Sequence, residues 1–494
     1  RPADHRTQRA SSIPMSQLRP RLTFLSEEML DRIEETAYRL LDEVGISLQH
    51  DGAKEMLHGR GCSIQGDRTF IPPHVVHVAL KNTSPHTQVY NRDGSLAFAL
   101  GEGPVRVHNG GGPPFVYDLE TGIRRSAELQ DVAEAARVLD ALTNVDMVVP
   151  LFGPQDVRSE LLVVASTEVA LRNTSKPVTS AAVEKPECVP YLVRMAAACC
   201  GGMAAYREHP TMVISVSPVS PLTFPEDITS AIMAIVESGS PFYALPAPCL
   251  GATSPITMAA AVAQQHAEVL ASLVIAAVAL PGALVGYSSR ISPIDVRTAI
   301  STWGGPEVGV TAACAGQLAH RLGLPCDGYG LSSHATTVGA QFAYERLTNA
   351  LVPALAGVDI LSGVGTTESG MAGALEIAVI DDELIRLVRR VARGCPVNEE
   401  TLAFDVMRDV IRADGVFLAE EHTVRHMRGG ALWMPDLGVW PTSSPSDHED
   451  AIARAKHRAA TILREHEVQP LPDGVSRELD AIMDQAHREL TGAQ

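Results

Sequence analysis

Residues 323–345 read GLPCDGYGLSSHATTVGAQFAYE. An apolar approach from Leu324 leads into Asp327, Gly328, Tyr329 and Gly330, then into the hydroxyl and imidazole group Ser332, Ser333 and His334. A helical pattern resumes at Val338, with Gln341, Tyr344 and Glu345 in its first turns. The order is strand, loop, helix. Parallel α/β folds place functional side chains at the carboxyl ends of buried strands, so this loop is the first candidate for the wall of an active site. An ordinary strand-to-helix turn, with a serine as N-cap and the histidine exposed, is the plainer alternative.

Working outward, the same unit recurs. Apolar runs of strand length stand at 105–108, 145–150, 177–181, 211–216, 242–245, 283–287, 324–329 and 358–361. Helical patterns at 127–142, 160–171, 188–199, 226–238, 256–280, 307–321 and 341–356 separate the later ones. Ser254-Pro255 reads as an N-cap before a proline at the first helical position, and Glu226 and Asp227 stand at the positive end of a helix dipole. Eight such units in about 290 residues are the spacing of a (β/α)₈ TIM barrel, an α/β fold. An open doubly wound sheet competes, but its dinucleotide fingerprint is missing: the stretch Asn109-Gly110-Gly111-Gly112 ends in Pro113 and Pro114 rather than in a helix.

The flanks are of a different kind. Residues 1–22 have no apolar core and read as a flexible arm rather than a signal peptide. From 23 to 104 a helix capped by Ser26 and stopped by Gly45, shorter helices and a hairpin turning at Asp93-Gly94 form an N-terminal cap. The barrel occupies 105–395. Helical patterns at 378–391, 401–412, 451–465 and 477–490, the third opened by a Ser446-x-x-Glu449 capping box, give a C-terminal helical segment over 396–494.

Composition narrows the function. In 494 residues, 58 acids face 40 bases for a net charge of −18, and no basic stripe is interleaved with aromatics, so nucleic acid and anionic membrane surfaces are poor partners. The apolar run from Val269 to Leu280 is too short to span a bilayer and reads as a buried helix. The eight cysteines form no C-x-x-C pair, which points to reduced thiols and a cytoplasmic location.

The strand-end loops are rich in Gly, Ser and aromatic residues and poor in carboxylates. They hold no H-E-x-x-H and no paired acids, so neither a rim metal nor glycosidase chemistry is expected. The i, i+4 pair His422 and His426 reads as surface histidines. What remains suits a ligand with a soft cationic head. Phe115, Phe152, Tyr287, Trp303 and Tyr329 could offer π-faces. Glu268 could balance the charge, and His334 and Arg290 could hold a carboxylate, with Asn109, Ser332 and Gln341 as polar lining.

The motifs Asn109 to Asp118 (NGGGPPFVYD), Ser220-Pro221-Leu222, Gly251 to Pro255 (GATSP), Gly339 to Glu345 (GAQFAYE), Asp381-Asp382-Glu383 and His422-Thr423 resemble the trimethylamine methyltransferase family of corrinoid-dependent enzymes. The resemblance runs from about Leu22 to Arg454, with the motifs in order. It implies a TIM barrel that moves a methyl group from an amine to the cobalt of a corrinoid-binding partner protein, with no tightly bound cofactor of its own, in a homo-oligomer. Trimethylamine-specific members carry pyrrolysine. This chain has only the ordinary twenty residues and so is similar to the non-pyrrolysine branch, which includes glycine betaine methyltransferases. His334, Glu268 and Tyr329 are then the expected catalytic residues. Two alternatives stand beside this reading: methyl transfer from a betaine or sulfonium to tetrahydrofolate, using Glu268 or Asp327 as the pterin's partner, and a ligand-binding relative without catalysis.

Overall fold

In the computed structural model, which describes residues 22–101, 103–438 and 450–492, the expected strand positions run parallel around one ring. Hydrogen bonds join Val178–Thr179, Met212–Val216, Phe242–Ala244, Ala283–Ser289, Cys326–Tyr329, Ile360–Val364 and Arg106–Asn109 in that order. The remaining position, residues 147–148, enters through the parallel bridges His108↔Met147 and Val148↔Val178, which close the circle. The fold is a (β/α)₈ barrel. Met212–Val216 and Ile360–Val364 are buried at every residue, because a barrel strand is covered on both faces; this is why the strands read as unbroken apolar runs.

The helices fall where the periodicity puts them, with one exception. Ser254-Pro255 does not open the helix after the fifth strand, which runs Met258–Ala279 with Thr257 as its N-cap. The Ser254 carbonyl instead accepts from the Gly251 amide at 3.0 Å, in a turn that precedes the helix. Among the described residues this is the one helix long and apolar enough to cross a membrane, yet 94% of its apolar window is buried inside the fold. It is a core helix.

The amino end of the barrel is plugged. The hairpin Gln88–Tyr90/Leu96–Ala99 pushes Val89 and Phe98, followed by Leu100, against Met147, Val213, Tyr243 and Ile360 from the barrel strands. Thr83–Pro85 adds a parallel strand beside Ala283–Val285. Inside, Tyr243 lies opposite Gly286, where a Cβ would come within 2.3 Å of the tyrosine Cζ. Gly286→Ala therefore has to displace a packed ring, and thermal or urea unfolding is expected to register a loss of about 1–3 kcal/mol.

The C-terminal helices continue the outer layer. Ala451–Glu465 packs on Leu129–Ala141 and Leu375–Ala392, and Asp473–Thr491 packs on Leu162–Asn173 and Val189–Cys199. Arg137 Nη2 reaches the Leu463 carbonyl at 2.6 Å and His466 meets Asp140 at 2.8 Å. Residues 1–21 of the expected arm and the capping box at Ser446 and Glu449 lie outside the described residues.

Candidate active site

Alternation along the strands decides which side chains reach the barrel interior. On the seventh strand Cys326 and Gly328 turn toward the helices, while Asp327 and Tyr329 turn inward to a cavity of about 460 Å³ at the carboxyl ends of the strands. Asn109, Thr179, Ser215 and Ser362 reach it from other strands, Arg290 follows the sixth strand directly, and Trp303 comes from the loop before the sixth helix.

Asp327 is the charged centre. Its Oδ2 accepts from Arg290 Nη2 at 2.6 Å and from Ser288 Oγ at 3.3 Å. Its Oδ1 lies 3.4 Å from His108 Nε2, an ion-pair distance without hydrogen-bond alignment, and has no hydrogen-bond partner in the protein. Burial would raise the carboxyl's pKa, but Arg290 and His108 outweigh it and hold the group down to about 2, so it is a carboxylate at neutral pH. Arg290 is locked in place: Nη1 donates to the carbonyls of Ser289 and Asp327 at 2.9 and 3.0 Å. Its guanidinium carbon stands 5.4 Å from the centre of the Tyr329 ring.

Tyr329 and Trp303 form an aromatic corner, ring centres 4.7 Å apart and planes at 59°. Ser332 does not line the cavity; its hydroxyl donates to the Trp303 carbonyl and so fixes the indole's backbone. Asn109 binds the Val149 amide and carbonyl at 2.9 and 2.7 Å, stitching the first strand to the second while lining the wall. Thr179 Oγ1, Ser180 Oγ and Ser362 Oγ, all buried and all lining the cavity, have no hydrogen-bond partner in the protein. Unpaired buried hydroxyls are costly, and here three of them surround one space.

The remaining sequence candidates lie elsewhere. His334 sits 3.1 Å from Glu345 Oε1, and Glu345 also accepts from Ser333 Oγ, the His334 amide and Gln341 Nε2. His334 and Gln341 thus belong to a latch at the start of the seventh helix, not to the cavity lining. Glu268 is fully buried away from the cavity. It accepts from Ser220 Oγ at 2.8 Å, the Leu222 amide at 3.0 Å and Gln264 Nε2 at 3.1 Å, fastening the loop after the fourth strand to the core helix. Burial raises its pKa against those bonds. Tyr287 points outward to His266 at 3.2 Å, Phe152 is packed in the core, and Phe115 lies under the Arg124 guanidinium at 3.7 Å. Of the eleven candidates, Asn109, Arg290, Trp303 and Tyr329 share the cavity.

Sequence reading placed His108 at the rim after the first strand without giving it a role, passed over Thr179 and Ser362, and took Asp327 only as a pterin partner. A carboxylate inside an apolar strand was the available signal, since such a group is rarely buried unless paired. Among the described residues no three His, Cys, Asp or Glu side chains gather as a metal site.

Residues 1–491 match the family described as trimethylamine methyltransferase. The chain is 28% identical over 471 residues to the trimethylamine methyltransferase MttB of Desulfitobacterium hafniense strain DSM 10664 / DCB-2, with 95% of each chain covered. It is also 28% identical over 454 residues to the glycine betaine methyltransferase of D. hafniense strain Y51, with 92% of each covered. Among solved structures, the monomethylamine methyltransferase of Methanosarcina barkeri aligns over 96% of both chains at 14% identity, with a TM-score of 0.46. These kinships favour neither the tetrahydrofolate acceptor nor the non-catalytic reading. With barrel, mouth and C-terminal helices all inside the matched span, the chain belongs to the trimethylamine methyltransferase family and is a methyltransferase.

Proposed function

We propose that this methyltransferase takes a methyl group from a small quaternary ammonium compound of the betaine type and passes it to the cobalt of a corrinoid carried by a separate protein. Relatives named for trimethylamine, a tertiary amine, and for glycine betaine, a quaternary one, support a methylated amine as donor, and the lack of pyrrolysine favours the quaternary kind. One observation carries the reading. Asp327 presents a buried carboxylate oxygen with no hydrogen-bond partner in the same cavity as the Trp303–Tyr329 corner, Arg290 and three unpaired hydroxyls.

Each part fits one end of a zwitterion. A quaternary ammonium cannot donate a hydrogen bond, so it seeks a negative charge and π-faces, worth ~0.5–2 kcal/mol per ring. Hydroxyls and a guanidinium suit a carboxylate. Because the donor's nitrogen already carries its charge and leaves as a neutral amine, no proton has to move, and the cavity needs no acid–base pair. The chain's work is to align the methyl with the open mouth and to keep water out.

The methyl acceptor supplies a strong metal nucleophile when it docks. The rim suits such a visitor: Gly112 and Gly370 border the cavity with bare backbone, and a Cβ on either would meet nothing within 4 Å. A flat macrocycle could approach there without displacing side chains. Incubation of the purified chain with reduced cobalamin and a panel of amines is expected to form methylcobalamin from glycine betaine or another carboxylated quaternary amine, well ahead of trimethylamine. Transfer from trimethylamine alone, or from none of the panel, would overturn the proposal.

A further inference from the structure

Among the described residues, no donor near the cavity is left to serve Asp327 Oδ1. Arg290 commits Nη2 to Oδ2 at 2.6 Å and Nη1 to the carbonyls of Ser289 and Asp327. Ser288 Oγ also serves Oδ2, at 3.3 Å. His108 Nε2 stands 3.4 Å from Oδ1, but Nδ1 donates to the Asn109 carbonyl at 2.6 Å, which fixes the ring and keeps it from swinging into line. A buried carboxylate oxygen without a donor is costly, and whatever enters the cavity exchanges solvent for itself at that point.

A quaternary ammonium brings charge to this oxygen but no N–H, so it displaces solvent there without replacing the lost hydrogen bond. Its product differs at that one point. When the methyl departs, both electrons of the C–N bond stay on nitrogen, and the tertiary amine takes a proton from water. An aliphatic amine keeps that proton at neutral pH, as lysine does with a pKa of about 10.4. Rotation about the bond between nitrogen and the carbon that bears the carboxylate carries the new N–H from the mouth, where the methyl was, round to Oδ1. The carboxylate end stays in place, so its contacts are common to both ligands and cancel. What remains is the burial of one methyl lost against a charge-assisted hydrogen bond gained, and the second is the larger.

We infer that the cavity holds its own demethylated product, a tertiary ammonium carboxylate, more tightly than the betaine it demethylates, with Asp327 Oδ1 as the atom that tells them apart. The inference rests on the betaine reading of the site. The expected preference is about tenfold. Transfer is then self-limiting: the tertiary amine occupies the cavity as it accumulates. Flux continues only where a second reaction, an oxidation or a further demethylation of that amine, removes it.

Isothermal titration of the full chain at neutral pH, with no corrinoid present, tests this apart from methyl transfer. N,N-dimethylglycine is expected to bind about tenfold more tightly than glycine betaine, and N,N-dimethyl-β-alanine to lead β-alanine betaine in the same way; whichever pair binds decides. Dimethylsulfonioacetate has the methyls and the positive charge of dimethylglycine without its N–H, and is expected to bind no more tightly than glycine betaine. Asp327→Asn keeps its carbonyl on Arg290 and turns its NH₂ group to the cavity, so the preference is expected to vanish. Should that variant misfold, the sulfonium comparison on the unsubstituted chain decides. Binding of the tertiary ammonium no tighter than that of its betaine would overturn the inference, as would a sulfonium that matches dimethylglycine or a preference that survives Asp327→Asn. In each of those cases methylcobalamin formed from the betaine leaves the proposed function standing. Binding of none of these ligands would overturn that function and this inference together.

Discussion

Asparagine in place of Asp327 is expected to raise the KM for a quaternary ammonium donor on the order of 100-fold while kcat holds within a few-fold. Asparagine keeps the shape of aspartate and a carbonyl for Arg290 Nη2, so what it removes is charge. That charge matters because the carboxylate is buried, ionised, and has one oxygen without a hydrogen-bond partner. A factor of 100 corresponds to about 2.7 kcal/mol, within the range for losing a charged contact in a buried site. The split between KM and kcat follows from the chemistry. The donor is most cationic in the ground state, and its charge disperses as the methyl departs, so Asp327 binds the substrate at least as well as the transition state. Initial rates of methylcobalamin formation across donor concentrations check this, and an unchanged KM would remove Asp327 from the site.

The same substitution leaves Arg290 without its counter-charge at a site where its side chain is 11% exposed. Breaking a buried pair costs roughly 3–5 kcal/mol, and the two carbonyls that Arg290 keeps place the expected loss at the low end. Asp327→Asn combined with Arg290→Gln removes both charges. It is expected to recover much of the lost stability and none of the lost affinity, which separates a binding role from a structural one.

The strands were legible because both of their faces are covered, so each one is a continuous apolar run; even the span 145–150, which joins the ring by isolated bridges at 147 and 148, carries that mark. The site was only half legible. Arg290, Tyr329 and Asn109 were within reach because they end strands or follow them directly, and Trp303 because it is the aromatic of the loop between the sixth strand and the sixth helix. Whether a neighbour points in or out turns on a one-residue pleat, and there Tyr287 faces His266 on the core helix while Ser288, next to it, faces Asp327. The Arg290–Asp327 pair spans 37 positions in the chain and forms only because barrel register sets Ser288 opposite Asp327 and Ser289 opposite Gly328. No local pattern encodes that meeting. Glu268 misled for the opposite reason: a carboxylate in an apolar helix signals a buried network, and here the network serves a loop.

Replacing Arg346 with methionine is expected to cost about 3–5 kcal/mol of stability. Its side chain and that of Asp381 are both fully buried and paired through Nε at 2.7 Å and through Nη2. The fork also donates to the carbonyls of Thr366 at 2.6 Å and Gly363 at 3.3 Å, while Asp381 accepts from the Gly365 amide at 2.8 Å. One guanidinium thus ties the seventh and eighth helices to the chain leaving the eighth strand. Methionine fills the volume but leaves a buried carboxylate without its counter-charge and the Thr366 carbonyl without the guanidinium, while the Gly363 carbonyl keeps the Thr366 hydroxyl at 2.9 Å. Arg346→Met with Asp381→Leu removes the stranded charge and should regain part of the loss; the Thr366 carbonyl and the Gly365 amide lose these partners while the Gly363 carbonyl keeps its hydroxyl donor, so recovery stops short. Those groups anchor the turn that brings Ser369 and Gly370 to the cavity, and the double variant is therefore expected to fold yet transfer methyl groups more slowly than the parent. Urea unfolding at unchanged m-value, followed by the methylcobalamin assay, checks both halves: a single variant losing under about 1 kcal/mol would mean that the pair does not hold the rim, since breaking a buried charge pair carries a far larger cost.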